Sequence, residues 1–172
     1  MKLFKKIIFK LLKPLLYPLF ISGKHDLFMN LYYILLRFRG VNFKGKPNYI
    51  GYNVKFDNPE LINLGDNIVI SDESILLTHD YSLTTVLKFK NKTPLNDMAI
   101  TRGITIGDNC FIGKRAIIMP GCSISDNCII GAGSVLRGAI KEESVLVGNP
   151  AKIVMNINEL SAKWAKKYQI NE

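Results

Sequence analysis

From Ile106 onward the chain places an aliphatic residue at every sixth position: Ile106, Ile112, Ile118, Ile124, Ile130 and Leu136. Four places after each stands Cys110, Ala116, Cys122, Cys128, Ser134 and Ile140, all small except the last. Glycine follows the aliphatic residue at Gly107, Gly113 and Gly131. A period of six is neither the 3.6 of a helix stripe nor the 2 of a half-buried strand. It predicts a coil with three flat faces, in which short strands alternate with tight corners and one turn takes eighteen residues. The aliphatic residue fills the interior, and the small one fits where the prism narrows. Gly107-Asp108-Asn109 and Ser125-Asp126-Asn127, eighteen residues apart, would stack as corners. Asp and Asn tolerate the left-handed backbone that such corners need. A third copy, Gly65-Asp66-Asn67, lies forty-two residues before the Gly107 corner and stacks only if about twenty-four residues leave the coil. The series Leu64, Ile70, Leu76 requires the same excursion. Ile50 and Phe56 precede Ile70 and Leu76 by twenty, one turn plus a two-residue bulge assigned to Asn58-Pro59. The expected fold is mainly β: a parallel β-helix of about four coils over residues 48–155, with a long excursion loop at 79–103.

The flanks follow other periods. Residues 1–47 form a basic helical segment. In residues 1–22, Leu3, Phe4, Ile7, Ile8, Leu11, Leu12 and Leu15 make one apolar stripe at spacings of three and four, with lysines opposite. Pro14 and Pro18 should kink or end that helix. Lysines interrupt the apolar run, so it does not reach the ~20 residues of a bilayer span. No small-residue cleavage site follows, which argues against a removable signal peptide. A second apolar stretch runs from Leu27 to Leu36. Residues 156–172 predict a short C-terminal helix, with Leu160, Trp164 and Tyr168 on one stripe, covering the end of the coil or packing on a neighbour.

Composition changes the picture in two ways. With 172 residues, 48% hydrophobic and 22% charged, the chain is a folded domain with room for a short appendage. Its net charge of +9 lies wholly in residues 1–48, which carry ten Lys/Arg against Asp26 alone, while the rest balances to zero. The main body is therefore no nucleic-acid platform. The N-terminal stripe instead suits peripheral contact with an anionic membrane, or packing within the domain or its oligomer. The three cysteines lack CxxC spacing, and two histidines cannot supply a three-His metal site, so no metal is expected. Cys110 and Cys128 stand one coil apart, about 4.8 Å by strand spacing, which would permit a disulfide; buried thiols serving as small fillers are the preferred reading.

The run ITIGDNCFIGKRAIIMPGCSISDNCIIGAGSVLRG and the closing VLVGNPAKIV resemble the hexapeptide-repeat acyltransferases, and within them the galactoside/maltose O-acetyltransferase-like enzymes, over roughly residues 48–155. The resemblance implies a left-handed parallel β-helix, whereas the ordinary crossover rule would give a right-handed one. It implies acetyl-CoA as donor, a homotrimer with sites between subunits, and an excursion loop that reaches across the interface to enclose the acceptor. It also implies that His79, standing where the chain leaves the coil, is the catalytic base. On the donor side it implies Gly131, Ala132 and Lys114 beside the pantetheine arm, with Arg137 and Lys152 toward the phosphates. Relatives often carry Thr-Lys where this chain has Arg137-Gly138.

Chemistry agrees with that assignment of His79. A hydroxyl is a weak nucleophile near neutral pH, and acyl transfer to it needs a base whose pKa lies near the working pH. Asp80 is a candidate to orient the imidazole. Adjacent strand residues point opposite ways, however, so a carbonyl or an acid elsewhere is the alternative. His25, in the N-terminal segment, lacks such a context. A three-His metalloenzyme is set aside, as is a nucleotidyltransferase with its additional α/β domain. The function expected is acetyl transfer from acetyl-CoA to a sugar hydroxyl of a cell-surface polysaccharide or its precursor. The alternatives are a non-catalytic scaffold and an N-acetyltransferase acting on an amino sugar. The expected location is cytoplasmic, peripheral on the inner face of the membrane if the N-terminal segment binds it.

Overall fold

The computed structural model describes residues 1–90 and 98–169. Three parallel ladders form the three faces of a prism. The first face stacks residues 42–43, 62–64, 104–106, 123–124 and 139–140. The second stacks 49–50, 69–70, 111–112, 129–130 and 144–148, and the third 55–56, 75–76, 117–118 and 135–136. Strands of two or three residues suffice because each adds its backbone hydrogen bonds to a continuous ladder. The register is the one the period predicts. Ile112 sits between Ile70 and Ile130, and Ile118 between Leu76 and Leu136. Leu64 pairs with Ile106 across the excursion, and Ile50 and Phe56 pair with Ile70 and Leu76. The two additional residues of the first coil fall in a 3-10 turn at Pro59–Leu61. The ladder begins at Asn42, ahead of the boundary expected at 48.

The interior is the aliphatic series, with Ile50, Ile70, Ile112 and Ile130 fully buried. Cys110, Cys122 and Cys128 are free thiols buried at the small positions. Burial pushes the Cys122 thiol up to about 11, and contact with Cys128 together with burial raises that of Cys110. These two thiols are held protonated, as expected of fillers.

Helices close the N-terminal end. α1 (Lys2–Leu12) gives way at Pro14 to a 3-10 turn, Lys13–Leu16, and α2 (Tyr17–Ile21) starts with Pro18 in its first turn. α3 (His25–Arg39) carries Asp26 in its first turn and Arg37 and Arg39 in its last, both favourable to the helix dipole. It ends at Gly40, whose φ of 114° lets its N–H reach the Leu36 and Arg37 carbonyls. α3 buries Phe28, Met29, Tyr32, Leu35 and Leu36, and the rings of Phe20, Phe28, Tyr32 and Tyr52 stack over the first coil. α1 has no buried residue.

The described part of the excursion holds regular structure. Residues 79–80 and 100–101 pair antiparallel, and between them runs α4 (Ser82–Phe89), a helix where only a loop is expected from the sequence. Thr84 holds it to the returning chain through hydrogen bonds with the backbone of Met98. Residues 91–97 of the excursion, Lys92 among them, lie outside the described residues. At the far end a hairpin of residues 144–148 and 151–156 leads into α5 (Ile157–Tyr168). Only Leu160 of the expected stripe is buried there; Trp164 and Tyr168 are exposed because α5 leaves the coil after its first turn. Among the described residues no helix is long and apolar enough to cross a membrane.

Candidate active site

The site is built on the two edges of the third face. Its outer surface carries Ile75, Ile117 and Val135, all half-buried. The corner following this face holds Asp57, Leu77, Thr78 and His79, then Met119-Pro120-Gly121 and Arg137-Gly138 on the later coils. The corner preceding it holds Glu73, Lys114-Arg115 and Ala132-Gly133.

His79 stands on the first edge, 41% exposed, where the chain departs for α4. Its Nδ1 is in contact with Oδ2 of Asp57 on the first coil. The same oxygen accepts the Thr78 N–H at 3.0 Å and the Thr78 hydroxyl at 2.9 Å. That hydroxyl, fully buried, accepts the Asn58 N–H at 3.1 Å. Two donors of Thr78 thus hold the carboxylate, and the carboxylate holds the ring. With Nδ1 engaged, Nε2 is the nitrogen left available to a ligand. Tyr81 lies edge-on to the ring at 5.2 Å between centroids.

Asp80 is not the orienting acid. Its Oδ1 accepts the Ser82 N–H at 2.9 Å at the start of α4, and that bond holds its carboxyl below the usual range. The alternation of side chains along residues 79–80 turns the two residues apart. Asp57 was missed, although the twenty-residue offset that stacks Phe56 under Leu76 also puts Asp57 under Leu77, beside the departing histidine.

The other edge gathers four of the residues singled out for the donor. The Gly133 N–H donates to the Lys114 carbonyl at 2.8 Å, so Ala132 lies directly over Lys114. A Cβ on Gly113 would meet the Ala132 nitrogen at 2.5 Å, and one on Gly131 would meet Val147 at 2.6 Å, so both coils approach closely here. Val147 in turn sits opposite Lys152 in the closing hairpin. Lys114 and Arg115 share Glu73, at 3.3 and 2.5 Å, and this acid, also missed from the sequence, holds both cations in place. Arg137 is separate from this group. It is exposed on the His79 edge, and its charge helps lower the Asp80 carboxyl. His25, at an exposed helix start beside Tyr49, belongs to neither edge. Among the described residues no group of His, Cys, Asp and Glu could hold a metal.

A carboxylate-held histidine thus stands at one edge of the third face, and a cationic, close-packed group stands at the other. The Hexapep family, bacterial transferase hexapeptide with six repeats, matches residues 103–138. The chain is 26% identical to the putative lipopolysaccharide biosynthesis O-acetyl transferase WbbJ of Escherichia coli, over 74% of this chain and 67% of the relative. It is 36% identical to protein CapG of Staphylococcus aureus, over 66% of this chain and 67% of the relative. A maltose O-acetyltransferase from Clostridium difficile superposes with a TM-score of 0.55 at 25% identity, covering 71% of this chain and 72% of that one. This chain therefore belongs to the hexapeptide-repeat acetyltransferases, and its coil is their left-handed parallel β-helix. The matches span between 37% and 67% of the curated relatives' lengths.

Proposed function

We propose that the protein transfers an acetyl group from acetyl-CoA to a sugar hydroxyl of a cell-surface polysaccharide or its precursor. The observation that carries this is the Asp57–His79 pair at the point where the excursion leaves the coil. His79 Nε2 takes the proton as the sugar oxygen attacks the thioester carbonyl. The tetrahedral intermediate collapses with cleavage of the carbon–sulfur bond, and the imidazolium returns its proton to the departing thiolate. The acetyl ester and free coenzyme A leave, and the enzyme is unchanged. Lys114, Ala132 and Gly131 would flank the pantetheine arm, with Lys152 toward the phosphates, while Arg137, on the His79 edge, would stand apart from that group. For that, Lys114 would exchange Glu73 for the donor. The polysaccharide acceptor is supported by the likeness to WbbJ, whose name assigns it to lipopolysaccharide biosynthesis.

A cyclic homotrimer completes the site in this proposal, because a flat face offers only one wall. Two observations support it. After the first coil, which places Tyr49 and Lys55 there, the outer side chains of the second and third faces are apolar, with Val69, Phe111 and Ile129 on one and Ile75, Ile117 and Val135 on the other, whereas the first face presents Asn42, Asn63, Thr105, Ser123 and Ala139. Val86 and Phe89 of α4 are also exposed. In a closed ring each subunit would use two different faces, one toward each neighbour. The test is coenzyme A release from acetyl-CoA in the presence of bacterial glycans and free sugars, with His79→Ala as control. Release with one glycan, lost in the variant, supports the proposal. Undiminished turnover in the variant removes His79 from the mechanism.

A further inference from the structure

The capping helices present two apolar surfaces, and only one is used. α3 turns its buried residues onto the first coil, whereas the stripe of α1 points away from it. Phe4, Leu11 and Leu15 are 62%, 66% and 69% exposed. Between α1 and α3 the same surface sinks into a cavity of about 450 Å³ lined by apolar residues alone, among them Ile8, Leu12, Leu31, Ile34 and Phe38. Monomeric proteins rarely expose so continuous an apolar area without a partner.

Charge selects the partner. Residues 1–25 hold six lysines and no acid. Lys2 is paired with Glu60, and Lys13 lies over the Tyr52 ring at 4.7 Å, so these two are turned toward the body. Lys6, Lys10 and Lys24 are exposed, and no ion pair engages them among the described residues. On the wheel of α1, Lys6 and Lys10 border the stripe of Leu3, Ile7 and Leu11. A second copy of this face would meet the first in a self-complementary contact and set lysines against lysines. An anionic lipid surface accepts both features at once, the apolar stripe among the acyl chains and the lysines at the headgroups.

We propose that the α1–α3 face docks on anionic lipid bilayers, lying in the interface rather than crossing it. The docking stands apart from the chemistry, but its use rests on the acetyl-transfer proposal. His79 is bonded to the first coil, the one α3 covers. Docking would therefore hold it within one helix layer, about 10 Å, and one or two coils of about 5 Å each from the headgroups, where a lipid-anchored glycan presents its sugars.

The experiment is co-sedimentation of the full chain, without acetyl-CoA, with phosphatidylcholine vesicles and with vesicles carrying about a quarter phosphatidylglycerol. Binding to the anionic vesicles alone, weakening as salt rises, is expected. Lys6→Glu/Lys10→Glu should weaken binding at least about tenfold, and Ile7→Asp/Leu11→Asp should abolish it. All four positions are exposed or at the edge of the stripe, and unchanged thermal melting of both variants checks the fold. Equal binding to both vesicle types, or none to either, overturns the proposal. So does a fall in oligomer mass by light scattering in Ile7→Asp/Leu11→Asp, which would make the face a contact between copies. None of these outcomes depends on turnover, so failure here leaves the enzymatic proposal to its own assay.

Discussion

Two corners of the same coil use an aspartate against the backbone of a neighbouring turn, and they use it in opposite directions. At the corner after the first face, Asp66, Asp108 and Asp126 each reach back one turn, accepting the N–H of Lys46, Asp66 and Asp108 at 2.9, 2.9 and 2.7 Å. Beside them Asn67, Asn109 and Asn127, all in the left-handed conformation, form a ladder in which each amide donates to the next carbonyl oxygen. Asp72 reaches back in the same way to Asn53. At the corner after the third face, Asp57 reaches forward, to Thr78 on the next coil, and so meets His79. The regular corner repeats three times and carries no reactive group. The irregular one occurs once, where the excursion breaks the repeat, and it holds a histidine in one orientation. Repetition satisfies the backbone, and its interruption leaves a carboxylate free to do something else.

Mutations at the two corners should separate these roles. His79→Ala should lower turnover by about two orders of magnitude or more, the usual cost of a missing general base. Acetyl-CoA affinity and melting temperature should stay near the wild type, as read by calorimetry and thermal denaturation. Asp57→Asn preserves an acceptor for Thr78 but removes the charge behind the imidazolium, and turnover should fall by roughly one to two orders of magnitude with little change in KM for the donor. If it instead lowers the melting temperature and leaves turnover alone, Asp57 is one more structural corner and the contrast fails. Asn109→Ala, at the middle of the ladder with φ near 53°, should cost about 1–2 kcal/mol of stability by denaturant titration and leave turnover per folded molecule unchanged. Asp80→Ala should change turnover less than about threefold, since its carboxylate serves the start of α4 rather than the imidazole. A loss comparable to that of Asp57→Asn would restore it to the catalytic group.

Nearly all of the coil could be read from the chain before its structure was known. A β-helix pairs each residue with another at a constant offset, so a period of six states the pairing outright, and the excursion shows itself as the one place where the phase jumps. Leu64 against Ile106 follows from that arithmetic alone. His79 was legible for the same reason, being the histidine that stands at the jump. Its partner was not, since the candidate offered by proximity in sequence was Asp80. α4 stayed hidden because it is only eight residues long: the spacing of Leu83, Val86 and Leu87 is too short to stand out in a loop, and the one buried side chain, Thr84, is polar and bonded to Met98 on the returning chain.

What the amino-acid order determined by itself was the repeat, its corners, the excursion and the helical nature of both flanks, all of them consequences of local spacing and backbone preference. Which of the two N-terminal apolar stripes would be buried was beyond it. Both have helical spacing, and α1 is the more sharply segregated, yet the coil has one open N-terminal end. That end is covered by the rings of α2 and α3 together with Met29 and Leu36, leaving the α1 stripe outside. The tertiary structure likewise decided that the acid behind His79 comes from the coil before it. That contact depends on the excursion lifting His79 out of the repeat just far enough for a carboxylate one turn away to reach the ring.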